Sequence, residues 1–121
     1  KTATPQEMLS LFLPSGLLDY FDLVNHVSQD TCFILFLEEK PSIPQEYSHL
    51  HLHSKGFFPE IEVQDFPIRG KAVYLRVKRR RWEDPETGQT YSRDWNLVAS
   101  GTRITAEFGV FLKALLGQSC G

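Results

Sequence analysis

The chain has 121 residues, of which 41% are hydrophobic, a net charge of -2 and two cysteines. This length suits one compact domain and excludes a large catalytic domain beside a second module. We expect a single domain over residues 1–121, with an ordered core from about residue 5 to residue 116 and a flexible C-terminal tail. Apolar runs are far shorter than the roughly 20 residues that cross a bilayer, and no leader opens the chain, so the expected localisation is cytoplasmic.

The two cysteines and the charges are unevenly placed. Cys32 and Cys120 lie too far apart to indicate a disulfide framework or a zinc ribbon, so we expect Cys32 to pack in the fold and Cys120 to be a free thiol. Residues 1–54 hold two basic and seven acidic residues, whereas the rest of the chain holds eleven basic and eight acidic ones. Residues 66–81 include seven basic residues and no acidic one, which predicts a strongly positive local field.

The first half of the chain predicts helices followed by a strand. Pro5 opens a sequence that is typical of a short helix ending before Pro14. Residues 17–24 form a second apolar patch, for which helix and strand both remain open. Residues 31–37 are β-branched and aromatic, and the proline-containing residues 41–44 follow, so we predict a strand and then a loop.

The second half predicts short strands and a hairpin. Strands are expected over residues 57–65, 71–82 and 91–98, where apolar and polar residues alternate. Residues 83–90 (EDPETGQT) are typical of a turn with one residue at positive φ. The last two strands are therefore predicted to form a long antiparallel hairpin.

A helix closes the chain and completes the expected fold. Residues 106–116 have an apolar stripe at helical spacing, with Thr105 as the predicted N-cap and Gly117 as the end. We expect an α+β fold with an antiparallel sheet of about four or five strands, a long basic β-hairpin, N-terminal helical segments and a C-terminal helix packed on the sheet.

The basic hairpin is the strongest functional signal. A two-stranded ribbon can lie in a DNA groove with its cations on phosphates, although charged edge strands also occur as protection against aggregation. The period of two places Arg76, Lys78 and Arg80 on one face and Arg79 and Arg81 on the other. The tryptophans suit either the core or base stacking. We predict a projecting arm with these DNA-binding residues: Arg69, Lys71, Arg76, Lys78, Arg79, Arg80, Arg81, Trp82 and Arg93.

Two sets of potential metal ligands are His49, His51 and His53 in one and Asp65, Asp84 and Asp94 in the other. Alternating histidines suit an exposed strand face better than a metal site, because no cysteine or carboxylate ligand is fixed beside them. The aspartates suit turns and ion pairs, and no phosphate-binding glycine loop accompanies them. Glu38 and Glu39 are interpreted as a charged strand exit. We therefore expect no metal, no cofactor and no catalytic residues.

Six segments resemble a known family. They are residues 13–21 (LPSGLLDYF), 36–40 (FLEEK), 54–61 (SKGFFPEI), 64–71 (QDFPIRGK), 78–82 (KRRRW) and 93–99 (RDWNLVA). Together they are similar to the N-terminal-region proteins of ISAon-type insertion sequences, found chiefly in Bacteroidetes, and the likeness spans residues 13–113. In that family a second reading frame encodes the DDE-type transposase domain.

The resemblance implies a DNA-binding module for transposition, a form of DNA recombination. Its expected partners are the insertion-sequence ends and the transposase catalytic subunit. Residues 65–82 are also similar to a wider transposase family that opens with a zinc-binding domain, but the paired cysteines of that family are missing here, so zinc is expected to be absent. The alternative is a protein-interaction or regulatory module that docks onto the separately encoded catalytic subunit.

Overall fold

In the computed structural model of the chain, the described residues are residue 13, residues 16–95 and residues 106–117, the last with side chains for residues 110–115. The strands among them are β1 (Phe21–Ser28), β2 (Cys32–Glu39), β3 (His53–Phe57), β4 (Ile61–Ile68), β5 (Lys71–Lys78), β6 (Arg80–Glu83) and β7 (Thr90–Tyr91). The helices are α1 (Leu17–Tyr20), α2 (Ala106–Gly117) and a 3-10 turn at Gln45–Tyr47. Neither described α-helix is long and apolar enough to span a membrane.

The strands form a large sheet, in the order β1-β2-β5-β4, and a small sheet, in the order β3-β6-β7. In the large sheet the outer pairs are antiparallel, whereas the central pair, β2 and β5, is parallel. Parallel neighbours require a crossover connection. Here the crossover contains the 3-10 turn, β3 and β4, so the small sheet begins inside the connection between the two central strands.

One face of the large sheet is covered by the hydrophobic core. Along β5 burial alternates, so that Val73, Leu75 and Val77 are fully buried while their neighbours are half-buried, as the period of two requires. The residues that pack on this face come from α1, the start of β1, Trp95 and α2. They include Leu13, Leu17, Phe21, Leu35, Leu37, Val63, Trp95, Phe111, Leu112 and Leu115.

The predicted α+β class is confirmed, and so are the strand over residues 31–37 and the helix that ends at Gly117. The apolar patch at residues 17–24 divides into one helical turn and the start of β1. The strand predicted over residues 57–65 is wrong in its bounds, because β3 ends where that strand was expected to begin. The N-terminal helix before Pro14, the Thr105 cap and Cys120 lie outside the described residues.

The predicted pairing of residues 71–82 with residues 91–98 is wrong over most of its length. Only Trp82 with Tyr91 and Glu83 with Thr90 form that ladder, and residues 96–98 lie outside the described part of the chain. The turn between them forms as expected, with Gly88 at φ 74° and its N–H donating to the Asp84 carbonyl at 2.7 Å. The long hairpin is instead formed by β4 and β5, and its basic residues lie on β5 and in the turn.

Arg69 and Gly70 make the two-residue turn of that β4–β5 hairpin, with φ of 51° and 78°. Positive φ at both central residues matches the right-handed twist of the flanking strands. β5 already has β2 on its other side, so this hairpin is part of the large sheet and does not project from it. The chain then passes through Arg79 directly into β6, which connects the two sheets.

Candidate nucleic-acid interface

The predicted DNA-binding cations do not form one patch. Arg69 is exposed in the β4–β5 turn. Lys71, beside it, donates from Nζ to the Gln29 carbonyl at 2.9 Å and lies 4.8 Å from the Phe33 ring centroid. Arg79 and the residues after it lie at the far end of β5, eight residues away and therefore at about 25 Å. The structure thus separates the two ends of the predicted site by the length of a strand.

Arg76 and Lys78 lie on the open face of the large sheet, the face opposite the core. Arg76 Nε donates to Glu62 Oε1 at 3.2 Å, and its Nη1 is 3.9 Å from Glu60. Lys78 lines a shallow depression together with Glu38 and Glu60. Cations beside carboxylates give this face a mixed charge, which is a weak attractor for phosphate.

Arg80 and Arg93 turn inward to one buried carboxylate. Glu39, whose side chain is 1% exposed, accepts from the Arg80 backbone N–H through Oε1 and from Arg93 Nε through Oε2, each at 3.0 Å. The Glu39 carbonyl also accepts from Arg80 Nε at 3.0 Å. These three residues, here called the Glu39 cluster, connect β2 of the large sheet to β6 of the small sheet. Arg80 and Arg93, which were predicted to contact DNA, are thus both held by partners within the fold.

Both arginines of the Glu39 cluster have further partners. Arg93 Nη2 donates to the Ser42 carbonyl at 2.9 Å, and its guanidinium lies 5.3 Å from the Tyr20 ring and 5.7 Å from the Trp95 ring. Arg80 Nη1 donates to Ser54 Oγ at 2.6 Å. Because charge, hydrogen bonds and ring contacts all hold these guanidinium groups in place, freeing them for a ligand would break the junction between the sheets.

Arg79 lies half-buried between the two sheets. Its guanidinium is 5.5 Å from the Phe58 ring, and its carbonyl accepts from the Phe58 N–H at 2.8 Å. Burial lowers the pKa of Arg79, and its Nε has no hydrogen-bond partner. Burying this donor without a partner is unfavourable, and it keeps Nε out of reach of a ligand in solution.

Arg81 is exposed on the outer face of the small sheet, defined by His53, Lys55, Arg81 and Glu83. Its Nη2 donates to the Lys55 carbonyl at 3.2 Å. The Lys55 side chain is 55% exposed and its Nζ is 3.4 Å from Glu83 Oε1. A bulge in β3 at Lys55 and Gly56 puts this lysine next to the arginine. The outer face thus presents two adjacent cations, with Glu83 as the carboxylate in contact.

The tryptophans belong to the interior. Trp82 is 2% exposed, and its Nε1 is buried without a partner, so it is not a stacking platform for bases. Trp95 is 4% exposed and stacks on Phe21, with ring centroids 5.3 Å apart. The sequence left both the core and base stacking open for the tryptophans. In the structure, Trp82 and Trp95 both lie in the core.

The two candidate metal-ligand sets do not assemble. His49, His51 and His53 are all exposed, as expected, but His49 and His51 lie in a turn and a loop, so the three do not share one strand. Asp84 Oδ1 accepts from the Glu86 N–H at 2.9 Å, a turn contact of the expected kind. Within residues 16–95 and the described part of α2, no three His, Cys, Asp or Glu residues are grouped as a metal site. Cys32 is half-buried and its Sγ donates to Gln29 Oε1 at 3.2 Å.

Two important residues were missed by sequence reasoning. Glu39 was interpreted as a charged strand exit with a structural role, but its place on the buried face of β2, where it binds two arginines, was not predicted. Lys55 was assigned no role, because nothing in the sequence places it beside Arg81. Residues 32–37 are all apolar, so the sequence did not show which face of the strand is buried. The contact of Lys55 with Arg81 likewise depends on tertiary pairing.

Replacing Glu39 with Ala is expected to lower the free energy of unfolding by about 3–5 kcal/mol, because Arg93 would remain buried without its counter-charge. The measurement is urea unfolding at neutral pH. Glu38→Ala is the matched control, since its half-buried side chain is outside the Glu39 cluster, and it should cost less than about 1 kcal/mol. Equal losses in both variants would contradict the central role of Glu39.

Stability should also depend on the protonation of Glu39. Burial raises the pKa of Glu39 above 4.5, and the hydrogen bonds from Arg80 and Arg93 only partly offset this. The folded state therefore keeps a proton that the unfolded state releases between pH 4.5 and the raised pKa. The contribution of Glu39 is fully present below this window and falls as pH rises through it.

The test compares wild type with Glu39→Gln, which cannot ionise, by urea unfolding over a pH series. The free energy of unfolding of wild type minus that of the variant should fall with rising pH across this window and then level off. A difference that rises with pH would mean that the folded state favours the Glu39 carboxylate.

The fold and the candidate interface were also compared with known proteins. No family model, no curated protein and no solved structure matches the chain.

Proposed function

We propose that this chain is the DNA-binding module of an insertion-sequence transposase system, and that it contacts element-end DNA through the outer face of the small sheet. The observation that supports the proposal most directly is the position of Arg81. Its side chain is exposed beside Lys55, whereas the neighbouring Arg80 is held inside the fold by Glu39 and Ser54. Within the basic run, Arg80 is therefore structural and Arg81 faces outward.

The chemistry of this face suits a phosphate backbone. An arginine and a lysine on adjacent strands present a fork of donors and a point charge to successive phosphates. Arg79 lies at the rim of the same sheet, but its Nε is buried, so the proposed contacts are those of Arg81 and Lys55. Arg69 lies at the other end of β5 and would reach only a duplex that runs along the strand.

The family resemblance supports the same proposal, because it includes residues 54–61 and 78–82, which contribute Lys55 and Arg81. Element-end DNA and a transposase catalytic subunit are the partners that the resemblance implies. Glu83 limits the positive potential of the outer face through its contact with Lys55. Binding is therefore expected to be moderate in strength and to depend on salt.

The test is a salt series of binding measurements on a duplex with the terminal sequence of the encoding element, with a scrambled duplex for comparison. The double variant Lys55→Ala/Arg81→Ala should bind more weakly, and the slope of log affinity against log salt should decrease by about 0.9 for each lost phosphate contact. Arg80→Ala is unsuitable, because it disturbs the Glu39 cluster.

The matched control is Lys40→Ala/Lys113→Ala, which removes the same charge from sites outside the small sheet and should leave the salt slope unchanged. Circular dichroism and urea unfolding establish that both double variants are folded. Absence of binding by the wild type at low salt, or equal weakening in both double variants, would reject the outer face as a DNA site.

A protein-interaction module is the second candidate, favoured by Phe66. This side chain is 62% exposed in the irregular part of β4, next to Pro67. An exposed aromatic of this size is common in contacts with another protein. Binding of the catalytic subunit in the absence of DNA, unaffected by the Lys55→Ala/Arg81→Ala changes, would favour this candidate over DNA recognition.

A further inference from the structure

The two edges of the large sheet are protected to different degrees. The β4 edge contains Pro67 and an irregular register between Asp65 and Ile68, both of which oppose pairing with another strand. The β1 edge has a bulge at Val24, but the segment after it, Asn25–His26–Val27–Ser28, has no lysine, arginine or proline. Every residue of β1 from Val24 onward is exposed, and among the described strands β1 pairs with β2 alone.

The hydrogen-bond pattern shows which groups point to the free edge of β1. Gln29 N–H donates to the Cys32 carbonyl at 2.8 Å, so these residues form a hydrogen-bonded pair. Hydrogen-bonded and non-hydrogen-bonded pairs alternate along an antiparallel ladder. The pairs of Ser28 with Phe33 and of His26 with Leu35 are therefore non-hydrogen-bonded pairs. The backbone groups of His26 and Ser28 consequently point away from β2.

Apolar side chains also reach this edge on the open face of the sheet. Val24 is 50% exposed and Val27 is 37% exposed. Val27 lies directly opposite Ile34, which in turn lies opposite Tyr74 of β5. These three residues form an apolar row across β1, β2 and β5 that ends at the free edge.

We propose that β1 is a homodimerisation strand, which pairs antiparallel with β1 of a second copy of this chain and extends the large sheet to eight strands. With the two-fold axis at Val27, the outward groups of His26 meet those of Ser28 of the second copy, and Val27 faces its own counterpart. The row of Tyr74, Ile34 and Val27 then continues into the same row of the second copy. This inference is independent of the proposed DNA contact.

A second copy fits this edge because the pairing is self-complementary. Around the axis at Val27 no carboxylate of one copy lies opposite a carboxylate of the other, since the nearest one, Asp30, would face Val24. The same surface patch is used by both copies, as two-fold symmetry requires. The exposed valines gain burial, and the outward N–H and C=O groups gain partners of identical geometry.

Asn25 regulates access to the edge. Its Oδ1 accepts from the His26 backbone N–H at 2.8 Å, so in one copy alone an outward donor is already occupied. When two copies pair, the His26 N–H donates to a backbone carbonyl of the second copy in place of Asn25 Oδ1. Removing the Asn25 side chain therefore frees a donor for the dimer, and Asn25→Ala should dimerise more tightly than the wild type.

The test is sedimentation equilibrium of the full chain from about 1 μM to 500 μM, a range that detects a micromolar dissociation constant. We expect a monomer–dimer equilibrium for the wild type and a dissociation constant several-fold lower for Asn25→Ala. Val27→Lys places two lysines opposite each other and should raise the constant about tenfold or more. Val110→Lys, at a 57% exposed position on α2, is the matched control and should change nothing.

A cysteine at Val27 tests the register. In a Cys32→Ser/Cys120→Ser background, Val27→Cys should form an intermolecular disulfide on mild oxidation, because a non-hydrogen-bonded pair brings the two Cβ atoms close together. Val110→Cys in the same background should not. The proposal is overturned if wild type and Asn25→Ala are both monomeric throughout, if Val27→Lys dimerises like the wild type, or if both cysteine variants cross-link equally.

Discussion

The fold depends on one buried carboxylate at the junction of two sheets. Glu39 is the last residue of β2 and lies opposite Phe21 on β1. Its oxygens accept hydrogen bonds from Arg80 on β6 and from Arg93 beyond β7. A carboxylate that is 1% exposed would be very unfavourable without these donors. These bonds turn the side chains of Arg80 and Arg93 toward Glu39. They also connect the small sheet to the large one.

The bonds to Glu39 give neighbouring basic residues different roles. Because side chains alternate along β6, Arg80 faces the junction with Trp82 while Arg81 faces outward. The run of four basic residues therefore divides between Lys78 on the open face of the large sheet, the half-buried Arg79, the structural Arg80 and the exposed Arg81. A dense cluster of charge in sequence does not become a dense cluster on the surface when neighbouring residues face opposite sides of a strand.

The two proposed interaction surfaces, the β1 edge and the outer face of the small sheet, lie on different sheets. The core face of the large sheet is filled by α1, Trp95 and α2, and no other described element covers the open face or the β1 edge. The proposed DNA contact lies on the other sheet, beyond Arg79. A dimer formed through β1 would bring together two copies of the large sheet while each copy keeps the outer face of its small sheet, so the two proposed interactions do not compete for residues.

Local sequence determined the elements that depend on short-range physics. The strand over residues 31–37, the turn with Gly88 at positive φ, the helix ending at Gly117 and the α+β class all follow from residue type, periodicity and turn chemistry. The tertiary structure alone decided which strands are neighbours. β5 pairs with β4 through the two-residue turn at Arg69 and Gly70. Its other neighbour is the distant β2 rather than residues 91–95, because that position buries Val73, Leu75 and Val77 in the core. The contact of Arg81 with Lys55, and that of Glu39 with Arg80 and Arg93, connect residues 26 to 54 positions apart, and no local pattern specifies such distances.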